Sequence, residues 1–406
     1  MHLLFIGFLL LGIVAALVRA VFGAPDALSH SVQAMLAAAD LGVKVSLGLV
    51  GILTLWSGFF RLAEKSGLAE SLARRVNPLL GALMPSEKKH PDALGPVAMN
   101  LSANVLGLDN AATPLGLKAM ERLQAHNPSR DTASDSQIMF LVLNTSSVTL
   151  IPVTVLMYRA QQGAADPADV YLPMLIATTA STFVGVWLTA RLQKISLMQP
   201  ALLWAAGLWV GLLALLTWLS TSVAGDAAAT WSSAIGNGVL LGVVALFLIA
   251  AHRAKLDAYA TFIEGAKEGF ETAVRLIPFL VAMLVAIALL REAGALDLLL
   301  EGIRRLVQAL GVDDAFVDAL PVALLKPLTG SGSRAMMLDV MNTHGVDSFA
   351  GKLAAVMQGS TETTFYVLAV YFGSVGITRM RYALWCGLAA DVAGLSAAIV
   401  ASYWLL

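Results

Sequence analysis

The sequence predicts an all-α polytopic membrane protein, because it combines few charges, long apolar segments and an internal repeat. Only 13% of its 406 residues are charged and 58% are hydrophobic, whereas about a quarter of the residues of an average soluble domain are charged. A soluble fold of this size could not cover its surface with so few charges. Disorder is excluded as well, because disordered chains are polar and rich in charge.

Net charge, cysteines and histidines narrow the class of protein further. The formal net charge is −1, so nothing favours a nucleic acid as a partner. The single cysteine, Cys386, allows neither an intrachain disulfide nor a thiolate metal site. The six histidines are scattered and no two are four residues apart, so no metal site is predicted. The sequence has no Walker A, GxSxG or HExxH motif, which argues against ATP-driven pumping and against an enzyme.

Eight apolar segments are long enough to cross a bilayer as helices, which takes about 20 apolar residues. They are 3–22, 43–61, 138–158, 170–191, 201–220, 232–251, 273–290 and 381–404. Polar residues interrupt segment 138–158 and also a partner segment near 352–374. The first segment has no basic residue before its apolar run, since Arg19 follows that run. We therefore expect a retained membrane helix there rather than a secretory signal.

Four other segments are not simple spans. Residues 68–80 and 296–307 place apolar side chains at helical spacing between charges, a pattern typical of helices that lie in the membrane interface. Residues 93–120 and 318–343 are only patchily apolar and are rich in Gly, Pro, Ser, Thr and Asn. We expect the last two to be re-entrant hairpins.

The same features occur in the same order twice. The matches align Gly67 with Gly294, residues 97–107 with 323–333, and residues 143–149 with 357–363. Three matches in one order indicate an internal repeat. The repeats are expected at 1–200 and 232–406, with a connecting transmembrane helix and loop at 201–231.

Basic residues predict that the two repeats are inverted. The loop 61–92 carries six Lys and Arg, whereas 291–320 carries three together with six acidic residues. The positive-inside rule therefore places 61–92 in the cytoplasm and 291–320 outside. Each repeat then has about four spans, an interfacial helix and a re-entrant hairpin; if the hairpins were full spans, the halves would be parallel. The expected location is a bacterial inner membrane, with a cytoplasmic N-terminus and a periplasmic C-terminus.

Inverted repeats with interrupted helices are typical of secondary transporters, because unpaired backbone at membrane depth must be buried or must line a wet cavity. We therefore expect a small polar or anionic solute as the ligand. The predicted substrate-binding residues are Asn100, Ser102, Asn104, Asn110 and Thr113 of the first hairpin, Asn144 and Ser146 of the first interruption, Lys326, Thr329, Ser331 and Ser333 of the second hairpin, and Gln358, Ser360 and Thr361 of the second interruption. The alternative is that the first hairpin is an ordinary loop outside the membrane.

Charged residues inside apolar segments are candidates for ion coupling, because burying them is costly. Asp109, Glu362 and Asp391 are the predicted coupling residues, for H⁺ or Na⁺ and without any other cofactor. Lys326 and Arg334 flank a Gly/Ser turn that favours an anion. Alternatively, these two cations pair with the three carboxylates or extend to the interface.

The motifs resemble the spore maturation proteins A and B joined in one chain. The resemblance to protein A lies in MNLSANVLGLDNAATPLGLKAMERLQ (99–124), and the resemblance to protein B in residues 262–287, GSGS (330–333) and MQGSTETTFYVLAVYFGSVG (357–376). It implies a nucleoside-recognition gate domain in each half and an architecture similar to concentrative nucleoside transporters, which work as elevators. A homo-oligomer, dimer or trimer, is expected by the same resemblance. Because the family name describes a phenotype, the alternative function is a non-transporting protein that assembles or regulates cell-envelope or spore-cortex machinery.

Overall fold

Helices form the regular structure in the part of the chain that the computed structural model describes, which is residues 2–106, 109–222 and 227–406. The first half contains α1 (His2–Val21), α2 (Asp26–Lys65), α3 (Leu68–Leu83), α4 (Pro91–Val105), α5 (Asp109–Ala125), α6 (Asp135–Thr145), α7 (Val153–Gln161) and α8 (Tyr171–Gln193). Helix α9 (Pro200–Ser222) follows. The second half contains α10 (Ala227–Arg253), α11 (Ala258–Glu292), α12 (Ala295–Ala309), α13 (Leu320–Leu325), α14 (Gly330–His344), α15 (Phe349–Gly359), α16 (Thr364–Ser374) and α17 (Ala383–Leu405).

Seven of the described helices are long and apolar enough to cross a membrane: α1, α2, α8, α9, α10, α11 and α17. They coincide with seven of the eight predicted segments. The eighth, 138–158, is divided between α6 and α7 at its polar residues. Large apolar side chains such as Leu11, Val21 and Trp204 are exposed on α1 and α9, as expected for a multi-pass membrane protein whose helices face lipid.

Two of the predicted segments, 43–61 and 273–290, were too short. Helix α2 has 40 residues and α11 has 35. The additional residues at their N-terminal ends, 26–42 and 258–272, contain charged and polar side chains that lower the hydropathy. They contain no proline, so nothing ends the helix there.

The order of elements is the same in both halves. Each half has two long helices, a short amphipathic helix, two helices that pack together, a broken helix and a final long helix. The short helices α3 and α12 each follow a glycine in the left-handed conformation, Gly67 with φ of 74° and Gly294 with φ of 77°. Glycine adopts this conformation without a steric penalty. The aligned glycines therefore make the same turn in the two halves.

Equivalent helices pair across the two halves. Helix α2 packs along α11 and α8 packs along α17, and these are the two most extensive contacts between described elements. The broken helices lie inside this frame, since ten of the eleven residues of α6 are buried and α15 is almost as buried. The frame therefore holds both helix breaks in the interior of the protein.

Candidate functional site

The two helix breaks contact each other directly. Helix α6 ends at Thr145 and α15 ends at Gly359. The backbone N–H of Glu362, in the second break, donates a hydrogen bond of 2.8 Å to the carbonyl of Thr145. The N–H of Phe365 donates to the carbonyl of Pro327, at 3.0 Å. Main-chain groups freed by the breaks thus join the two halves and the turn before α14.

Each helix pair is hydrogen-bonded to the break in its own half. Asn104 of α4 donates through Nδ2 to Oδ1 of Asn144, at 2.8 Å. In the second half, the hydroxyl of Ser333 on α14 donates to Oε1 of Gln358, at 2.5 Å. The internal repeat aligns Asn144 with Gln358, so an amide at the end of each broken helix accepts a bond from the neighbouring helix pair.

A second aligned pair of side chains terminates the broken helices. The hydroxyl of Ser146 donates to the carbonyl of Val142 at 2.7 Å, and that of Ser360 donates to the carbonyl of Met357 at 2.8 Å. Both serines are fully buried. The same carbonyls also accept the backbone N–H of Ser146 at 3.0 Å and of Ser360 at 3.3 Å, so each serine closes the last turn of its helix through both its N–H and its hydroxyl.

A cavity of about 600 Å³ lies where the breaks and helix pairs converge. It is lined by nine of the predicted residues: Asn104, Thr113, Asn144, Lys326, Thr329, Ser331, Gln358, Thr361 and Glu362. Phe60 of α2 and Leu276 and Phe279 of α11 contribute an apolar wall. A pocket of this size, with an apolar wall and convergent polar groups, is typical of small-molecule sites.

Six predicted residues with described side chains do not line the cavity but are buried: Asn100, Ser102, Ser146, Ser333, Ser360 and Asp391. Asn100 donates through Nδ2 to the carbonyl of Ala112, at 2.7 Å. Asp391 accepts at Oδ2 a hydrogen bond of 2.7 Å from the hydroxyl of Thr364. The side chains of Asp109 and Asn110 lie outside the described residues.

Charges of both signs line the cavity. Arg334 is half-buried and the side chain of Glu362 is exposed. Among the described residues, these two side chains form no ion pair with each other or with another side chain. Lys326 is only 4% exposed and already has contacts of its own. The guanidinium and the carboxylate are thus the charges best placed to contact a ligand.

A second cavity of about 240 Å³ adjoins the first. The two share Phe60, Val153, Thr154, Leu276 and Arg334. The smaller one is also lined by Arg61, Glu64 and Glu268, near one end of α2. Arg334 therefore lies between a polar cavity and a charged group of side chains.

Comparisons with known proteins support the repeat. Residues 46–161 and 273–378 match the family described as "Gate: Nucleoside recognition". The chain is 44% identical over 158 residues to spore maturation protein B of Bacillus subtilis (strain 168), covering 39% of this chain and 87% of the relative. It is 40% identical over 149 residues to spore maturation protein A of the same organism, covering 37% of this chain and 76% of the relative. The chain belongs to the fused spore maturation A/B family.

In this family member, every cavity-lining residue falls within the two matched ranges. One range contains α4 to α6, and the other contains α12 to α15. Asp391 lies outside both ranges. The matched parts of the A/B chain are thus the parts that build the cavity.

Sequence reasoning missed several residues that line the cavity. Tyr371 of α16 lines it and donates through its hydroxyl to Oδ1 of Asn144, at 3.4 Å. Ser147, Thr149, Thr154 and Tyr366 also line it. An aromatic residue in an apolar segment carries no signal of its own, whereas the contact of the two breaks, once known, places Tyr371 beside Asn144.

The fold also joins two histidines that are far apart in sequence. The rings of His90 and His126 are stacked with centroids 3.9 Å apart, and His126 Nε2 lies 3.1 Å from Oδ2 of Asp92. This contact joins the start of α4 to the end of α5 and holds the pKa of Asp92 below its usual value through the hydrogen bond from His126. The three groups are close enough to be ligands of one ion, which spacing in the sequence does not show. That the protein has no metal site stays a prediction.

Proposed function

We propose that this A/B family member is an inner-membrane secondary transporter of a small polar or anionic solute. The observation that supports this proposal is the cavity of about 600 Å³ between two helix breaks and two helix pairs. Broken helices with polar residues are costly in a membrane unless they line a cavity. A protein that only assembles other components has no need for such a cavity.

The lining favours an anionic or zwitterionic solute. The Arg334 guanidinium offers a planar set of donors for a carboxylate or phosphate. Asn104, Thr113 and Gln358 add neutral donors and acceptors. Aromatic rings at Phe60 and Tyr371 provide surfaces for a flat ring, which is compatible with a nucleoside-like solute and with the family description.

The transport mechanism we propose is elevator-like. The α4/α5 and α13/α14 pairs are re-entrant hairpins of two inverted repeats, and the bundle that they form with the broken helices moves against the remaining helices. Coupling is to H⁺ or Na⁺, with Asp109, Glu362 and Asp391 as candidates. The protein acts as a homo-oligomer, either a dimer or a trimer.

The orientation of the repeats can be tested by cysteine labelling, because Cys386 is the single cysteine in the sequence and is buried. We place single cysteines at Lys88, between α3 and α4, and at Gln308, at the end of α12. Inverted repeats predict that a membrane-impermeant maleimide labels the second position from outside intact cells and the first only after permeabilisation. Labelling of both from the same side would contradict inversion.

The solute is tested by thermal unfolding of purified protein with nucleosides, dicarboxylates, dipicolinate and metal ions, each with and without Na⁺. A ligand that binds only the folded state raises the unfolding midpoint. The stabilising ligand is then assayed for flux in proteoliposomes. Arg334→Gln should weaken its binding about tenfold or more, as expected for a charge-assisted contact.

Arg275→Gln is the matched control, because Arg275 of α11 is an exposed arginine that does not line the cavity. It should bind the ligand as the native protein does. Equal weakening in both variants, or a stabilising solute that is not transported by the native protein, would contradict the proposal.

The second candidate function is assembly or regulation of cell-envelope or spore-cortex machinery without transport. The names of the two relatives, both spore maturation proteins, favour it. It predicts no solute flux under any ion gradient. Flux that Glu362→Gln abolishes and Glu271→Gln, on the exposed surface of α11, leaves unchanged would exclude this candidate.

A further inference from the structure

Residues with buried oxygen atoms are grouped around Gly394 on α17. A Cβ atom at Gly394 would lie 2.8 Å from Cγ2 of Thr361, 3.0 Å from Cβ of Ser181 and 3.2 Å from the carbonyl oxygen of Ser360. Asp391 precedes Gly394 by one helical turn and therefore lies on the same side of α17. Thus the absence of a side chain at Gly394 lets α17, α8 and the second break approach one another closely.

Three of these polar groups are unsatisfied by the described protein atoms. Oδ1 of Asp391, Oγ1 of Thr361 and Oγ of Ser181 have no hydrogen bond of ordinary length, although the Thr361 hydroxyl is close enough to the Asp391 carboxylate to interact with it. The three residues are 1%, 4% and 0% exposed. Leaving one buried polar atom unsatisfied costs about 1–3 kcal/mol, so three at one place indicate a ligand that satisfies them together.

The chemistry of the group fits a small hard cation. It offers a carboxylate, two hydroxyls and a carbonyl, and hard cations prefer oxygen ligands. Helix α15 ends at Gly359 with Ser360 as its cap, so the negative end of its dipole points into the break. Unwound carbonyls and helix C-terminal ends are also the groups that hold Na⁺ in membrane transporters with broken helices.

The net charge of the surroundings favours a monovalent ion. Lys326 and Glu362 are the other charged groups that act on the Asp391 carboxylate, and they have opposite signs. Together with Asp391 they leave one negative charge.

We propose that Asp391, Thr361, Ser181 and the carbonyl of Ser360 form a Na⁺ site. Its role as the coupling site rests on the proposed transport function. The ion would fix the second break against α8 and α17, and the same break carries Glu362 and contacts Thr145 of the first break. Na⁺ binding would therefore order one wall of the solute cavity before the solute binds.

The test measures Na⁺ binding without any solute. Purified protein is unfolded thermally at constant ionic strength while choline is replaced by Na⁺, or by K⁺ in a parallel series. The unfolding midpoint of the native protein should rise and saturate with Na⁺, and should respond less to K⁺. Asp391→Asn should raise the half-saturating Na⁺ concentration about tenfold or more, and Ser181→Ala about fivefold.

Ser402→Ala is the matched control for Ser181→Ala. Like Ser181, Ser402 is fully buried and has an unpartnered hydroxyl, but it lies on α17, eleven residues from Asp391. It should keep the native response to Na⁺. If Asp391→Asn fails to fold, the site can still be tested by comparing the Na⁺ response of Ser181→Ala and Thr361→Val with that of Ser402→Ala.

No Na⁺-specific shift in the native protein, or an unchanged shift in Asp391→Asn and Ser181→Ala, would overturn the site. The result is separable from transport. Na⁺-dependent stabilisation without solute flux would support the site and contradict the transport function. Solute flux that is the same in Na⁺ and in choline would support the transport function and contradict the role of the site in coupling.

Discussion

Because α2 and α11 are in close contact, we expect two glycine substitutions on these helices to change the stability of the protein in opposite directions. These helices come from different halves of the chain and form the most extensive contact between described elements. A Cβ atom at Gly269 of α11 would overlap the carbonyl oxygen of Leu53 and would lie 2.7 Å from Oγ of Ser57. Because a carbonyl cannot rotate away as a side chain can, the helices must separate to accept alanine at this position.

Gly51→Ala is the matched substitution on α2. Nothing lies within 4 Å of a Cβ atom at Gly51. Alanine is more favourable than glycine in a helix by about 0.5–1 kcal/mol, so Gly51→Ala should stabilise the protein by about that amount. Gly269→Ala has the same helical gain, but overpacking costs about 1–3 kcal/mol. We expect a net destabilisation of about 1 kcal/mol or more.

The assay is thermal unfolding of the two variants and the native protein in the same detergent. The midpoint should rise for Gly51→Ala and fall for Gly269→Ala. A rise for both would show that α2 and α11 are not in close contact at Gly269, and the packing described above would then be wrong. A fall for both would show that alanine at Gly51 does not stabilise α2 through its helix propensity.

Three further predictions concern other contacts of the described residues. In a double-mutant cycle, Asn104→Ala and Asn144→Ala should show a coupling of about 1 kcal/mol in the free energy of unfolding, as expected for one buried hydrogen bond; additive effects would contradict the bond. The pKa of Asp92 is lowered from 3.8 by its bond to His126, so the stabilisation is present above pH 3.8 and lost as the pH falls below it. The unfolding midpoints of Asp92→Asn and the native protein should therefore converge below pH 3.8, and a constant difference would refute this. Arg159 is fully buried and paired, so it should tolerate neither Ala nor Lys. Either substitution should lower the free energy of unfolding by about 3 kcal/mol or more, which thermal unfolding would measure.

The breaks and the order of elements could be predicted from the sequence because both depend on local composition. Polar residues such as Asn144 and Gln358 lie within long apolar segments, and a helix ends close to each of them. The start of α2 could not be predicted by hydropathy, because residues 26–42 are helical without being uniformly apolar. Composition predicts where apolar segments lie. How far a helix extends beyond such a segment depends on where a stop signal such as proline occurs.

The contacts that complete the site could not be predicted, because they join residues far apart in the chain. Arg159 illustrates this: its guanidinium lies 2.8 Å from Asp169 and 3.2 Å from Asp347, and it donates at 3.0 Å to the carbonyl of Val346. An arginine at the end of an apolar segment is ordinarily expected to extend to the membrane interface. Only the packing of the loop after α7 against the loop before α15 explains its burial.

The two halves are equivalent in their order of elements, but they differ at the proposed ion site. A Cβ atom at Gly185 of α8 would contact Ala390 and Ser146, just as one at Gly394 of α17 would contact Ser181 and Ser360. Thr182, three residues before Gly185, is therefore the counterpart of Asp391. The Thr182 hydroxyl already has partners, since it donates to the carbonyl of Ser146 and, at 3.0 Å, to the carbonyl of Thr178. The first half therefore has neither the carboxylate nor the unsatisfied oxygen that the second half has at this position. If Na⁺ is the coupling ion, each chain should bind one ion at Asp391, and solute flux should depend on Na⁺ with a Hill coefficient of about one. A coefficient near two would require a second site, which the repeat does not provide at Thr182.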